Sequence, residues 1–171
     1  MQDVITGTSF AVGDDVKALD IMPVRFKSSQ KLDATELALA TFADLYPDFA
    51  ARAVAGEFQI IVAGHNFGGG GKTVEGPVFA LRGSGLQIVI AESFARYFLR
   101  NAINNAFPIL VCPGITGFAR TGDRLQADLR TAQITNQTNG EVITAQMLSK
   151  IALDIIGSGG LVAYAKKRLA A

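Results

Sequence analysis

The chain has 171 residues, 49% of them hydrophobic, with 16 Lys and Arg against 15 Asp and Glu and a net charge of +1. That balance excludes the basic excess of a nucleic-acid partner, and the apolar fraction excludes a disordered chain. One cysteine, Cys112, and one histidine, His65, exclude an intrachain disulfide, a cysteine cluster and a multi-histidine metal site.

The length fits one domain over 1–171. Met1-Gln2-Asp3-Val4 lacks the basic start of a secretory signal, and no apolar run approaches the roughly 20 residues of a membrane span. A cytoplasmic chain with no membrane contact is expected. Residues 1–57 read as a loop-and-helix segment, with a turn at Gly13-Asp14-Asp15 and a break at Pro23. Lys27-Ser28-Ser29-Gln30-Lys31 reads as an exposed polar loop. Asp33 and Glu36 have capping-box spacing for a helix carrying Leu37, Ala40, Thr41, Ala43 and Asp44 that stops near Pro47.

An α/β core is expected over 58–121. Phe58–Gly64, Leu86–Ala91 and Pro108–Cys112 are apolar runs of strand length. Between them lie a short helix, Val78 to Arg82, and an amphipathic one, Glu92 to Ala106, with Phe94, Phe98 and Ala102 on one face. Strand alternating with helix is the α/β pattern. Over 122–171 the spacing predicts two short strands in Arg124–Thr138 and a hairpin turn at Asn139-Gly140. A helix capped by Thr144 over Ala145–Ile156 follows, then a break at Gly157–Gly160 and a last helix, Leu161 to Leu169.

The stretch after the first core strand is the most informative. Asn66-Phe67 is followed by four consecutive glycines, Gly68 to Gly71, then Lys72-Thr73. Unshielded amides between a strand and a helix can hold an anion; the alternative is a flexible turn. A P-loop is not formed, because its first glycine position is Asn66 and Pro77 falls where its helix should run. His65 at a strand end reads as a hydrogen-bonded structural residue ahead of a base. Ser84 and Ser93 have no nearby histidine and no nucleophile elbow. Glu92, Arg96 and Arg100 have the spacing of a solvated ion-pair face, with anion recognition as the alternative.

These residues resemble a known family. Gly64-His65-Asn66-Phe67-Gly68-Gly69-Gly70-Gly71, Gly76-Pro77, Ser93-Phe94-Ala95-Arg96 and Arg100-Asn101 are similar to the small subunit of 3-isopropylmalate dehydratase. That subunit is the swivel domain of the aconitase superfamily. Gly13-Asp14-Asp15-Val16 with Ile21-Met22-Pro23-Val24-Arg25-Phe26, Gly122-Asp123 and Gly159-Gly160-Leu161 extend the resemblance to both ends. It implies an α/β fold of the swivelling β/β/α type and a hydro-lyase of the leucine-biosynthesis type acting on a 2-hydroxy dicarboxylate. It also implies no cofactor on this chain and a separate large subunit carrying a [4Fe-4S] cluster.

The resemblance breaks at the family's reactive loop. Its Ser-Ser-Arg-Glu-His falls on Gly71, Lys72, Thr73, Val74 and Glu75, so the serine that acts as base is replaced by a glycine. Its Asp-Thr-Asp near the N-terminus falls on Lys17, Ala18 and Leu19. Two expectations follow. In the first, the chain is an enzyme subunit. Lys72 binds a carboxylate or acts as a base with a lowered pKa, and Thr73 and the Gly68–Gly71 amides add hydrogen bonds. Gly70, Gly71, Asn66 and Arg25 then contact substrate, Arg25 from the loop that tunes substrate choice in the family. In the second, the fold is kept for assembly or anion binding without catalysis.

Overall fold

The computed structural model describes residues 3–27, 34–70 and 75–170. Its strands are β1 (Val4–Ala11), β2 (Ile60–Ala63), β3 (Ile88–Ala91), β4 (Ile109–Val111), β5 (Arg124–Asp128), β6 (Gln133–Asn136) and β7 (Val142–Thr144). Its helices are α1 (Ala18–Ile21), α2 (Ala34–Ala40), α3 (Phe49–Val54), α4 (Gly76–Gly83), α5 (Arg96–Asn104), α6 (Ile115–Phe118), α7 (Lys150–Gly157) and α8 (Leu161–Leu169). A 3-10 turn spans Val24–Lys27.

The strands form one seven-stranded sheet in the order β4-β3-β2-β1-β5-β6-β7. β1 is its pivot. Ser9, Phe10 and Ala11 pair in parallel with β2, whereas Val4 to Thr8 pair antiparallel with β5. The parallel half continues through β3 to β4, and the antiparallel half through β6 to β7. Gln59 fills the gap left where β1 changes partner. Its Oε1 accepts the Thr8 amide at 3.0 Å. Its side chain lies over Gly7, where a Cβ would fall 2.5 Å from Gln59 Cβ, so only glycine fits there.

β2 and β3 are buried at every position, which explains their unbroken apolar runs. One row across the sheet, Phe10-Ile61-Val89-Ile109, packs on the helical layer with Phe42, Phe49, Leu81 and Phe98. Within that layer Phe10 meets Tyr46, Phe49 and Phe58 at centroid distances of 5.2, 4.7 and 5.0 Å. On the other face Ile60, Val62, Ile88, Ile90 and Leu110 share a core with Leu125, Ala127 and Ile134 of the antiparallel half. The sheet therefore curls around this second core. Beyond β7 the Gln146 amide donates to Val111 O of β4 at 2.7 Å, so the two margins of the sheet meet.

The expected core strands, the helix after Pro77, the hairpin at Gly140 (φ 81°) and the last helix are all present. Four expectations are corrected. The segment read as loop and helix contributes β1, at the middle of the sheet. α2 ends at Ala40, before the expected stop, and α3 is a further helix. Glu92 to Ala95 are not helical: Phe67 and Phe94 form a parallel bridge there and Ala95 is extended, so α5 starts at Arg96. Thr144 ends a strand; Ser149 caps α7 by accepting the Ala152 amide at 3.2 Å. The expected cap Asp33 lies outside the described residues. Among the described residues no helix is long and apolar enough to cross a membrane.

Candidate active site

In open α/β sheets ligands gather beyond the carboxyl ends of the parallel strands. Here β1, β2 and β3 each release a loop at that end, and hydrogen bonds lace the three together. The loop after β2 runs from Gly64 to Gly70. It meets the segment after β1 through Gly64 N–H to Gly13 O (3.2 Å) and Asp15 N–H to His65 O (2.8 Å). Gly68 N–H to Val16 O and Ala18 N–H to Gly69 O, both 2.8 Å, continue the seam. It meets the segment after β3 through Phe67 N–H to Ser93 O and Ala95 N–H to Phe67 O, both 3.0 Å.

Side chains lock the same junction. Asp14 Oδ1 accepts the His65 amide at 2.7 Å and sits over Gly64, where a Cβ would be 1.9 Å away. Asn66 adopts a left-handed φ of 57°. Its amide donates to Ser93 Oγ at 2.9 Å, and its Nδ2 donates to Asp15 Oδ1 at 2.8 Å. The glycines follow from this packing. At Gly68, with φ 80°, a Cβ would lie 2.3 Å from Phe98 Cγ, and at Gly69 2.9 Å from Asn66 Nδ2.

That packing revises the expected anion cradle. The Gly68 amide is spent on Val16 O and the Gly69 amide on Asn66 O (3.3 Å), so neither points at a ligand. Asn66, expected at the substrate, spends a side-chain N–H on Asp15 and anchors the loop. Gly70 is exposed, with φ 63°. Gly71, Lys72 and Thr73 lie outside the described residues. Arg25 lies in the 3-10 turn after α1, with Nη1 2.6 Å from Asp44 Oδ1 and its guanidinium 4.8 Å from the Phe26 ring centroid. Lys17 enters the site beside Gly70: its stem carbons Cγ and Cδ lie 3.3 and 3.4 Å from where a Gly70 Cβ would be. In the sequence it registers only as a departure from an acidic pattern.

Glu92 is not part of a helical ion-pair face. Its carboxylate accepts the Gly114 amide (2.7 Å), the Thr116 amide (3.0 Å) and the Thr116 hydroxyl (2.7 Å), capping α6. Partial burial alone would raise its pKa, but these hydrogen bonds and nearby His65 outweigh burial and hold the carboxyl below its ordinary value. Neither Arg96 nor Arg100 forms an ion pair among the described residues. Cys112 is fully buried, and desolvation, helped by Glu92, pushes its thiol up to about 11. Among the described residues no group of three or more His, Cys, Asp or Glu could hold a metal ion. A cleft of about 360 Å³ lies at this edge, lined by Val12, Gly13, Asp14, Thr116 and Ala119 among others.

The aconitase C-terminal domain family matches residues 18–112, the stretch that holds β2 to β4 and their loops. The chain belongs to this family. Among its relatives are small subunits of dehydratases and isomerases. The isopropylmalate/citramalate isomerase small subunit of Methanocaldococcus jannaschii is 39% identical over 170 residues, covering 99% of this chain and 98% of that one. The 3-isopropylmalate dehydratase small subunit of Methanosarcina acetivorans is 42% identical, covering 94% and 96%. The 2,3-dimethylmalate dehydratase small subunit of Eubacterium barkeri is 39% identical, covering 92% and 94%. The crystal structure of 3-isopropylmalate dehydratase from M. jannaschii superposes with a TM-score of 0.87 at 33% identity, covering 98% of this chain and 96% of that one. Within the family, this chain is of the small-subunit type of isopropylmalate and related dehydratases.

Proposed function

We propose that this chain caps an iron–sulfur large subunit and completes a hydro-lyase acting on a 2-hydroxy dicarboxylate. The observation that carries the reading is the full-length match to dehydratase small subunits, combined with the glycine loop laced onto the carboxyl ends of the parallel strands. In the reaction a C–H and the neighbouring C–OH bond break, water leaves and an alkene forms; water then returns with the hydroxyl on the other carbon. The partner's [4Fe-4S] cluster supplies Lewis-acid activation of the hydroxyl. This chain supplies the segment that continues from Gly70. There Lys72 holds a substrate carboxylate or takes the proton, and Thr73, Gly70 and Gly71 add hydrogen-bond donors. Asn66 anchors the loop that leads to Gly70 through Asp15, and Arg25 faces the distal part of the substrate.

The test uses the anaerobically reconstituted heteromer and a panel of isopropylmalate, citramalate and 2,3-dimethylmalate. Lys72→Ala is expected to lower turnover by roughly a hundredfold or more with subunit assembly unchanged. A pH profile that loses its acidic limb in the variant assigns Lys72 as the base, and one that loses its basic limb assigns carboxylate binding by the ammonium. Unchanged turnover overturns the assignment of Lys72. A heteromer inactive on the whole panel favours the assembly role, which the committed Gly68 and Gly69 amides support.

A further inference from the structure

We infer that the cleft between α7, α8 and the turn after β5 binds a phosphorylated small molecule of nucleotide size, at the end of β1 opposite the glycine loop. The inference is independent of the hydro-lyase reading. The cleft has a volume of about 580 Å³, within the range of small-molecule sites. Asp3 lines it just ahead of β1 and Arg130 just after β5, so it sits at the amino end of β1. The glycine loop sits beyond the carboxyl end. The eight residues of β1 separate the two by roughly 25 Å.

Three separate elements bring cations to this cleft. α7 begins at Lys150, directly after its Ser149 cap. Gly159 and Gly160, with φ 88° and 113°, turn the chain, and the Gly160 amide donates to Ile155 O at 2.9 Å. α8 therefore returns along α7 and places Lys167 and Arg168 of its last turn in the same cleft as Lys150. Arg130 joins them from a turn held by Asp128 Oδ1, which accepts the Arg130 and Thr131 amides at 2.8 and 3.2 Å.

Four cations meet two acids here, Asp3 and Asp154, whereas the whole chain carries 16 against 15. Asp3 is committed to Arg130 at 3.6 Å. Lys150, Lys167 and Arg168 form no ion pair among the described residues. Basic residues in a last helical turn ordinarily offset the helix dipole and need no ligand. Lys150 stands in a first turn, where the dipole disfavours it, and Arg130 stands in no helix. The dipole therefore does not account for the set. Like charges gathered in one cleft repel one another, and a bound polyanion offsets that repulsion; arginine suits phosphate through its forked donors. Half-buried Tyr164 lines the same cleft, as does Asp154. An aromatic ring offers a base a face to stack on, and a carboxylate accepts ribose hydroxyls. These two residues point to a phosphate ester with an organic portion, in preference to free phosphate.

The experiment is calorimetric titration of the full chain with ADP, pyrophosphate and citrate at about 0.15 M salt. ADP is expected to bind with a Kd below about 1 mM, and pyrophosphate more weakly. Lys150→Ala combined with Lys167→Ala is expected to weaken both at least about tenfold, and Lys150→Arg combined with Lys167→Arg to keep them. Both lysines are exposed, so the fold should survive, as circular dichroism checks; Lys167→Glu alone is a second reading of the same contact and should abolish pyrophosphate binding. Asp154→Asn should weaken ADP and leave pyrophosphate unchanged or tighter. Absence of ADP binding overturns the inference, and so does binding that the lysine variants leave unchanged. Citrate bound as tightly as ADP reduces the cleft to a general counter-ion site and overturns it as well. Pyrophosphate bound as tightly as ADP, with ADP indifferent to Asp154→Asn, overturns the organic portion of the ligand.

Discussion

Gly68→Ala isolates what the glycine loop requires. Residue 68 has φ 80°, a conformation that disfavours any residue with a Cβ by roughly 1–2 kcal/mol. The added methyl also lands 2.3 to 2.6 Å from Phe98 Cγ, Cβ and Cδ2. Phe98 cannot simply swing away. Its ring stacks on Phe94 at 6.0 Å, meets Phe67 edge-on at 5.2 Å, and is 4% exposed. Overpacking of a filled core costs about 1–3 kcal/mol, so the total is about 2–5 kcal/mol. Urea denaturation of the wild type, Gly68→Ala, Phe98→Ala and the double variant measures it. In the Phe98→Ala background the second substitution should retain only the backbone part, about 1–2 kcal/mol. A loss under about 1 kcal/mol in the wild type, or one of equal size in both backgrounds, refutes the packing argument. Gly117→Ala is the control. Nothing lies within 4 Å of its Cβ position, and it should stabilise α6 by up to about 1 kcal/mol.

Three further outcomes are expected. Glu92→Gln should destabilise the fold by about 1–2 kcal/mol, because its amide end faces an N–H donor of Gly114 or Thr116. Since the folded pKa of Glu92 lies below its ordinary 4.5, its contribution is complete above that pH and fades as pH falls through the lower folded value. Denaturation midpoints of wild type and Glu92→Gln should therefore converge in acid; a gap independent of pH contradicts this. Cys112, buried with its thiol raised to about 11, should resist alkylation at about pH 8 in the native protein and react once denaturant is added, as read by intact mass. Phe49→Ala should lose about 3–5 kcal/mol by thermal or urea unfolding, since its ring joins Phe10, Phe42 and Phe58.

The parallel strands β2, β3 and β4 are legible because nearly every position is apolar, as double-sided burial demands. β1 is hidden by the opposite circumstance. Its Thr6, Gly7, Thr8 and Ser9 look like loop composition, yet Ser9 is buried with its hydroxyl donating to Arg120 O at 2.6 Å. That partner lies 111 residues away, and no local pattern reports it. The helical periodicity read from Glu92 onward fails for a related reason. Phe94 answers to Phe67 and Phe98, and Glu92 to a helix N-terminus some 20 residues on. The four glycines are legible as a special backbone, but their reason is not. Crowding by Phe98 and Asn66 dictates Gly68 and Gly69, so the first half of a run that looks like an open anion nest is a close-packed seam.

The meeting of the sheet's two margins bears on the chain before it finds a partner. An open sheet offers unpaired amides and carbonyls to any passing strand, which is the usual route to aggregation. Here the chain beyond β7 returns to β4, where Gln146 donates to Val111 O, and Ala145 donates to Ala132 O. β7 itself is three residues long, with exposed positions at both ends. Among the described residues the chain thus presents no long bare strand edge: both margin strands, β4 and β7, are three residues long.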